Sequence, residues 1–157
     1  MAKRKIVILG EDEILQKKCR RVEKFDDKLC ALLDDMAETM YDAVGAGLAA
    51  PQVGLLRRIA VIDVGDGLIE LINPEIIAES GVQEEGEGCL SVPGKRGITR
   101  RPAKVKVRAM DRHGKIVEYK GSDLLARAFC HELDHLDGEL FIDPKHLVRY
   151  LDPDEVG

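Results

Sequence analysis

Ser122-Asp123-Leu124-Leu125-Ala126-Arg127-Ala128-Phe129-Cys130-His131-Glu132-Leu133-Asp134-His135-Leu136-Asp137-Gly138 is the stretch that decides how the rest of the chain is read. Its apolar residues recur at helical spacing, which predicts a helix capped by Ser122, running to about Asp137 and stopped by Gly138. His131 and His135 stand four residues apart, about one turn, so both imidazoles leave the same face and can share one cation. They continue the line of Leu124 and Ala128, flanked by Leu125, Phe129, Leu133 and Leu136. Both rings therefore emerge near the apolar side, where a buried imidazole needs a partner and a metal supplies one. Two solvated histidines on an exposed face would not follow that line. Glu132, beside the first imidazole, is placed to reach a water on such a cation and act as general base.

Outward from this helix, the preceding region is mostly strands. Ile6 to Leu9 opens the chain as a short apolar strand. A first helix is predicted from about Asp27 to Val44, with Asp26 as N-cap, Gly45 as stop, and Leu29, Leu32, Leu33, Met36 and Met40 on its apolar face. Gly45 to Gln52 is small and flexible and reads as a shaped loop. Arg58 to Val64 and Leu68 to Ile72 read as strands joined through Gly65-Asp66-Gly67, with Pro74 limiting the second. Gly81 to Gly88 reads as an irregular strand or bulged hairpin. Lys104 to Arg108 alternates as a half-exposed strand does, and Asp111 to Gly114 turns it into Ile116 to Tyr119. Residues 139–157 fit a helix or a tail, with Lys145 to Tyr150 a short final turn or helix. Strands followed by a helix predict an α+β class rather than alternating α/β.

The chain of 157 residues fits one domain, 1–157, with one core. Hydrophobic residues are 45%, aromatics only 4% and Trp is absent, so Leu, Ile, Val and Ala must fill that core. A net charge of -5 argues against direct nucleic-acid binding, and Ala2-Lys3-Arg4-Lys5 reads as a solvated N-terminus. No apolar run approaches the roughly 18 residues of a membrane span, and the N-terminal one is too short for a signal peptide. The expected location is cytoplasmic. Cys19, Cys30, Cys89 and Cys130 match no disulfide framework.

A catalytic metal site keeps three protein ligands and one open position, so a third ligand is needed. His146 lies eleven residues beyond His135, after Pro144, without helical register, and His113 sits in a hairpin turn. Cys89, in Glu87-Gly88-Cys89-Leu90-Ser91, is the better candidate: Gly88 allows close approach, and Leu90 offers a backbone N–H beside the sulfur. Cys130 points about 100° away from its neighbour His131 and reads as a packing residue. Cys19 and Cys30 read as structural or incidental. Gln52 stays open between a loop residue bonding its own turn and a catalytic role.

Gly45-Ala46-Gly47-Leu48-Ala49-Ala50-Pro51-Gln52, Glu87-Gly88-Cys89-Leu90-Ser91 and His131-Glu132-Leu133-Asp134-His135 together resemble the three motifs of the peptide deformylases, in that family's order. The resemblance is close over residues 45 to 138. It implies mostly antiparallel sheets packed around a central helix that carries the histidine motif. It implies a hydrolase that removes the formyl group from the N-terminal formyl-methionine of new proteins. Cys89, His131 and His135 become the metal ligands, and Glu132 the acid–base residue. Gln52 and the Leu90 N–H then stabilise the oxyanion. The metal implied is one divalent ion, Fe(II) natively, with zinc, nickel or cobalt able to replace it. The resemblance places Val44, Gly45, Gly47, Gly88, Arg96, Leu124, Arg127 and Ala128 around an extended formyl-methionyl peptide or nascent chain, at the ribosome. Arg101 and Asp134 become a supporting pair. Arg127 and Glu85 depart from the aliphatic residues of some members, and Cys130 from a common Gln. Two other classes compete: a zincin-type peptidase, which lacks its third downstream ligand here, and a non-catalytic metal module, which has no use for Glu132.

Overall fold

The computed structural model describes residues 2–152. Expectations that touch residue 1 or residues 153–157 lie partly outside the described residues. The first amphipathic segment forms α1 (Asp27–Asp42), and Asp26 caps it by accepting from Leu29 N at 3.0 Å. Leu29, Leu32, Leu33, Met36 and Met40 are buried, as the spacing predicts. The helix stops two residues before the expected Val44, because Val44 takes a left-handed φ of 56° and Gly45 N closes the end on Met40 O.

Seven strands follow: β1 (Gly47–Ala49), β2 (Ile59–Ile62), β3 (Ile69–Ser80), β4 (Gln83–Cys89), β5 (Val92–Arg101), β6 (Lys104–Met110) and β7 (Ile116–Ser122). Helix α2 (Leu124–Leu136) comes next, then β8 (Leu147–Tyr150). Among the described residues, the strands pair antiparallel in a five-stranded sheet of order β1-β2-β3-β6-β7 and a three-stranded sheet of order β4-β5-β8. With two helices, this is an α+β arrangement. The predicted alternation of Lys104 to Arg108 is met, with Val105 and Val107 buried.

Several expectations change. Ile6 to Leu9 joins neither sheet; Val7 N donates to Gln52 O at 2.7 Å and Leu9 N to Ser91 O at 2.8 Å, so the segment straps two loops together. Gly45 to Gln52 is more ordered than a loop: it contains β1 and a 3-10 turn, Ala50–Val53. Pro74 does not end β3. Its missing N–H falls where the register shifts between Ile72 and Glu75, and Asn73, at φ 51°, spends its side chain on the backbone of Val22. Ser122 ends β7 and does not cap α2; Asp123 takes the cap position without a side-chain bond. The segment Lys145 to Tyr150 holds a strand, not a helix.

Helix α2 is buried over most of its circumference, with Ala126, Ala128, Phe129, Cys130, Leu133 and Leu136 all in the core. Gly138 ends it as predicted, at φ +76°; a Cβ there would lie 2.7 Å from the Gln16 carbonyl. Leu136 O accepts from Cys19 N and from Arg58 Nη1, so the last turn is tied to the N-terminal segment. Among the described residues, no helix is long and apolar enough to cross a membrane.

Candidate metal centre

Two elements bring the donors together. β4 ends on Cys89, and α2 supplies His131 and His135 from adjacent turns. The Cys89 sulfur lies 3.3 Å from His135 Nε2, and one donor atom from each of Cys89, His131 and His135 lies within 4.8 Å of the others. One ion with bonds of about 2.0–2.3 Å spans separations of that order. The residues fit a metal for a second reason. His131 Nδ1 is 2.5 Å from Glu87 Oε1, which leaves Nε2 facing the sulfur. A carboxylate on the outer nitrogen fixes the ring and its tautomer for ligation. Both rings are buried, and burial drives the His135 pKa well below the usual imidazole range, so it stays a neutral donor. Burial also opposes charge on His131, but Glu132, Cys89 and Glu87 outweigh it and hold its pKa well above.

Glu87 is a residue of the centre that the spacing never singled out. It is buried, accepts from Thr99 Oγ1, and receives Arg101 Nε and Nη2 at 3.2 and 2.7 Å. Arg101 reaches on to Asp134 Oδ2 at 2.5 Å, so the expected Arg101–Asp134 pair exists as half of a longer chain. His146, out of register in sequence, comes within 3.2 Å of Asp134 and 3.1 Å of Glu139 and ties the last segment to α2. No periodicity reports such contacts, because the partners sit on different elements.

Glu132 is 3% exposed, and its Oε1 has no hydrogen-bond partner. Burial is the main force that pushes its pKa up to about 7; His131 opposes and Glu87 adds to the rise. A base near neutrality suits proton transfer in both directions. Gln52 is buried too. Its Oε1 accepts from Ala49 N at 3.0 Å, which orients the amide, and Nε2 then faces Ser91 Oγ at 3.2 Å and the Cys89 sulfur at 3.6 Å. Gln52 therefore bonds its own turn, as one of the two readings has it, and also aims a donor at the sulfur.

These groups border a cleft of about 460 Å³. Val44, Gly45, Gly47, Gly88, Arg96, Leu124, Arg127 and Ala128 line it, as do Gln52, Cys89, Leu90, His131 and Glu132. His135, Arg101 and Asp134 stand behind its wall. Glu85 is exposed and outside the lining. The motif glycines have a packing reason: a Cβ on Gly47 would lie 2.5 Å from Glu132 Oε2, and one on Gly45 2.7 Å from Leu90 Cδ1. Cys130 is buried in the core, as predicted.

The polypeptide deformylase family matches residues 3–149. The chain belongs to that family. It is 59% identical over 139 residues to the peptide deformylase of Alkaliphilus metalliredigens, a match covering 88% of this chain and 95% of that protein. It is 55% identical to the peptide deformylase of Caldanaerobacter subterraneus, over 99% of this chain and 96% of the relative. The crystal structure of the Legionella pneumophila peptide deformylase superposes with a TM-score of 0.88 at 46% identity, covering 98% of this chain and 89% of that one. Membership in this family of metal-dependent deformylases sets aside the zincin peptidase and the non-catalytic module.

Proposed function

We propose that Cys89, His131 and His135 hold one divalent metal ion, and that Glu132, Gln52 and the Leu90 N–H use it to cleave the formyl group from the N-terminal methionine of new polypeptides. Residues 1–157 act as one catalytic domain, with α2 as its central helix. The observation that carries the proposal is the meeting of one sulfur and two imidazoles at the wall of a cleft that also contains Glu132 and Gln52.

When bound, the ion supplies Lewis acidity, acidifying a water and polarising the formyl oxygen. Fe(II) is the expected native ion, with zinc, nickel or cobalt able to substitute; donor softness alone does not choose among them. Glu132 takes the proton of the attacking water at its unpartnered Oε1 and later delivers it to the leaving amine as the C–N bond breaks; the amine departs neutral with formic acid, which becomes formate by releasing its own proton to solvent. The Gln52 Nε2 donor and the Leu90 N–H stabilise the oxygen on which charge develops. Such donors are typically worth about 3 kcal/mol each. For Gln52, the longer contact, to the sulfur, is the one the oxyanion replaces.

β1 and β4 are edge strands of their separate sheets, and both border the cleft. An extended substrate can pair with the backbone near Val44 to Gly47 on one side and near Gly88 on the other. Leu124, Ala128 and the Arg127 stem form the methionine pocket. Arg96 meets the peptide further along, and Arg101 and Asp134 steady the ligand helix. The substrates are nascent chains at the ribosome in the cytoplasm, met without direct nucleic-acid or membrane binding. The test is formate release from a formyl-Met tripeptide under anaerobic conditions, with metal content measured on the same sample. Turnover that tracks bound metal and vanishes in Glu132→Ala supports the proposal; turnover without metal, or unchanged in that variant, ends it.

A further inference from the structure

Three cations border the cleft, and none of them is paired with a carboxylate among the described residues. Lys95, Arg96 and Arg127 all line it, in a chain whose net charge is -5. Among the described residues none of the three forms an ion pair, whereas Arg4, Arg58, Arg100, Arg101, Arg108 and Arg112 each face a carboxylate. The acidic groups nearby are spoken for or remote. Glu87 is buried against Arg101 and His131, Glu132 is buried in the site, and Glu84 pairs with Arg100. Glu85 is exposed and, among the described residues, makes no ion pair.

Each cation is placed by its surroundings. Arg127 sits one turn before His131 and donates to Gln83 Oε1 at 2.7 Å. Gln83 Nε2 is itself held by the carbonyls of Pro102 and Asp123, both at 2.9 Å, so its oxygen must face the guanidinium. Arg96 lies across the bare face of β4: a Cβ on Gly88 would be 3.0 Å from its Nη1, and one on Gly86 3.6 Å from its Nη2. Lys95 rests over the Tyr150 ring, 5.5 Å from its centroid.

We propose that this cationic rim makes formylated chains with Asp or Glu among the first few residues after methionine the preferred substrates. The proposal rests on the deformylase function above. Cations lining one cleft focus their field on it and raise the local concentration of an anionic partner. An extended peptide advances about 3.3 Å per residue, so side chains as long as Lys and Arg reach several successive positions. Arg96 and Arg127 also offer forked donors that suit a carboxylate. Attraction at the rim holds the bound peptide without touching the reacting atoms, so it lowers KM and leaves kcat alone.

The metal-loaded full chain is assayed for formate release with C-terminally amidated formyl-Met-Ala-Ala-Ala, formyl-Met-Asp-Glu-Ala and formyl-Met-Lys-Lys-Ala. At low salt the acidic peptide is expected to show a KM about tenfold below the neutral one, and the basic peptide a higher KM than either. That advantage shrinks to about twofold near 0.5 M salt, where screening acts within a few ångströms. In the combined variant Lys95→Gln, Arg96→Gln, Arg127→Gln, the acidic-to-neutral ratio falls toward one, whatever the absolute rate. Should that variant not fold, the salt series on the unaltered chain decides. Equal KM for acidic and neutral peptides, or an acidic preference indifferent to salt, overturns the proposal while neutral turnover leaves the deformylase function standing. No turnover of any peptide removes both. Inhibition by a short RNA oligomer without any acidic-peptide preference assigns the rim to phosphate and also overturns it.

Discussion

Replacing Glu87 tests whether the metal centre depends on a buried carboxylate committed to His131, Arg101 and Thr99. Glu87 receives Thr99 Oγ1, two Arg101 nitrogens and His131 Nδ1, and it is 7% exposed. Glu87→Ala strands a buried guanidinium and a buried imidazole. Removing one member of a buried pair costs about 3–5 kcal/mol. Arg101 keeps Asp134, which puts the expected loss at the lower end, near 3 kcal/mol. That is a large share of a typical stability of about 5–15 kcal/mol. Glu87→Gln preserves the volume and one acceptor, so about 2 kcal/mol is expected. Metal affinity falls about 10- to 100-fold in both, because the His131 ring loses its anchor. Burial alone would raise the Glu87 pKa, but His131 and Arg101 overcome it and hold it well below the usual carboxylate range. A lowered pKa gives stability that is present above the ordinary carboxyl value of about 4.3 and is lost as pH falls through the folded value. The gap between the unaltered chain and Glu87→Gln therefore narrows below about pH 4. Urea unfolding across pH and competition with a metal chelator measure both quantities. A loss under about 1 kcal/mol with unchanged metal affinity would refute the reasoning.

Four further outcomes are expected. Gln52→Ala lowers kcat about 10²- to 10³-fold with metal content unchanged, read from formate release and metal analysis. Gly47→Ala forces the Glu132 carboxylate to move, since the new Cβ would stand 2.5 Å from Oε2, and activity falls more than the melting temperature does. Gly138→Ala acts the other way: a φ of +76° and backbone only 2.7 Å away make it destabilise by about 2 kcal/mol or more, seen in denaturant midpoints. Burial pushes the Cys130 thiol up to about 12 and Cys19 up to about 11. Alkylation at neutral pH followed by mass mapping should spare both, and metal should slow the labelling of Cys89.

How much of this was legible in sequence follows from where the determining contacts lie. α1 could be read because Leu29, Leu32, Leu33, Met36 and Met40 need only local periodicity, and its cap Asp26 is adjacent. β6 showed itself by alternation. His131 and His135 share a face through spacing alone, and Cys89 joined them through its motif. β5 was not anticipated: Pro93, Gly94, Gly97 and four basic residues hide a strand whose identity comes from pairing with β4 and β8. Pro74 misled because a bulge absorbs its missing donor, with Asn73 bonded across to Val22. Ser122 had the chemistry of a cap but was already committed to β7. Glu87 and His146 depend on tertiary partners many residues away, and no local pattern encodes those.

The donors of the centre straddle two separately hydrogen-bonded sheets, with the sulfur at the tip of the smaller sheet and the rings on a helix packed against the larger. An ion held by Cys89, His131 and His135 would rivet the two sheets together. A chain starved of metal should be clipped by protease first between residues 83 and 101. Resistance to digestion would then serve as a gauge of how many molecules are armed.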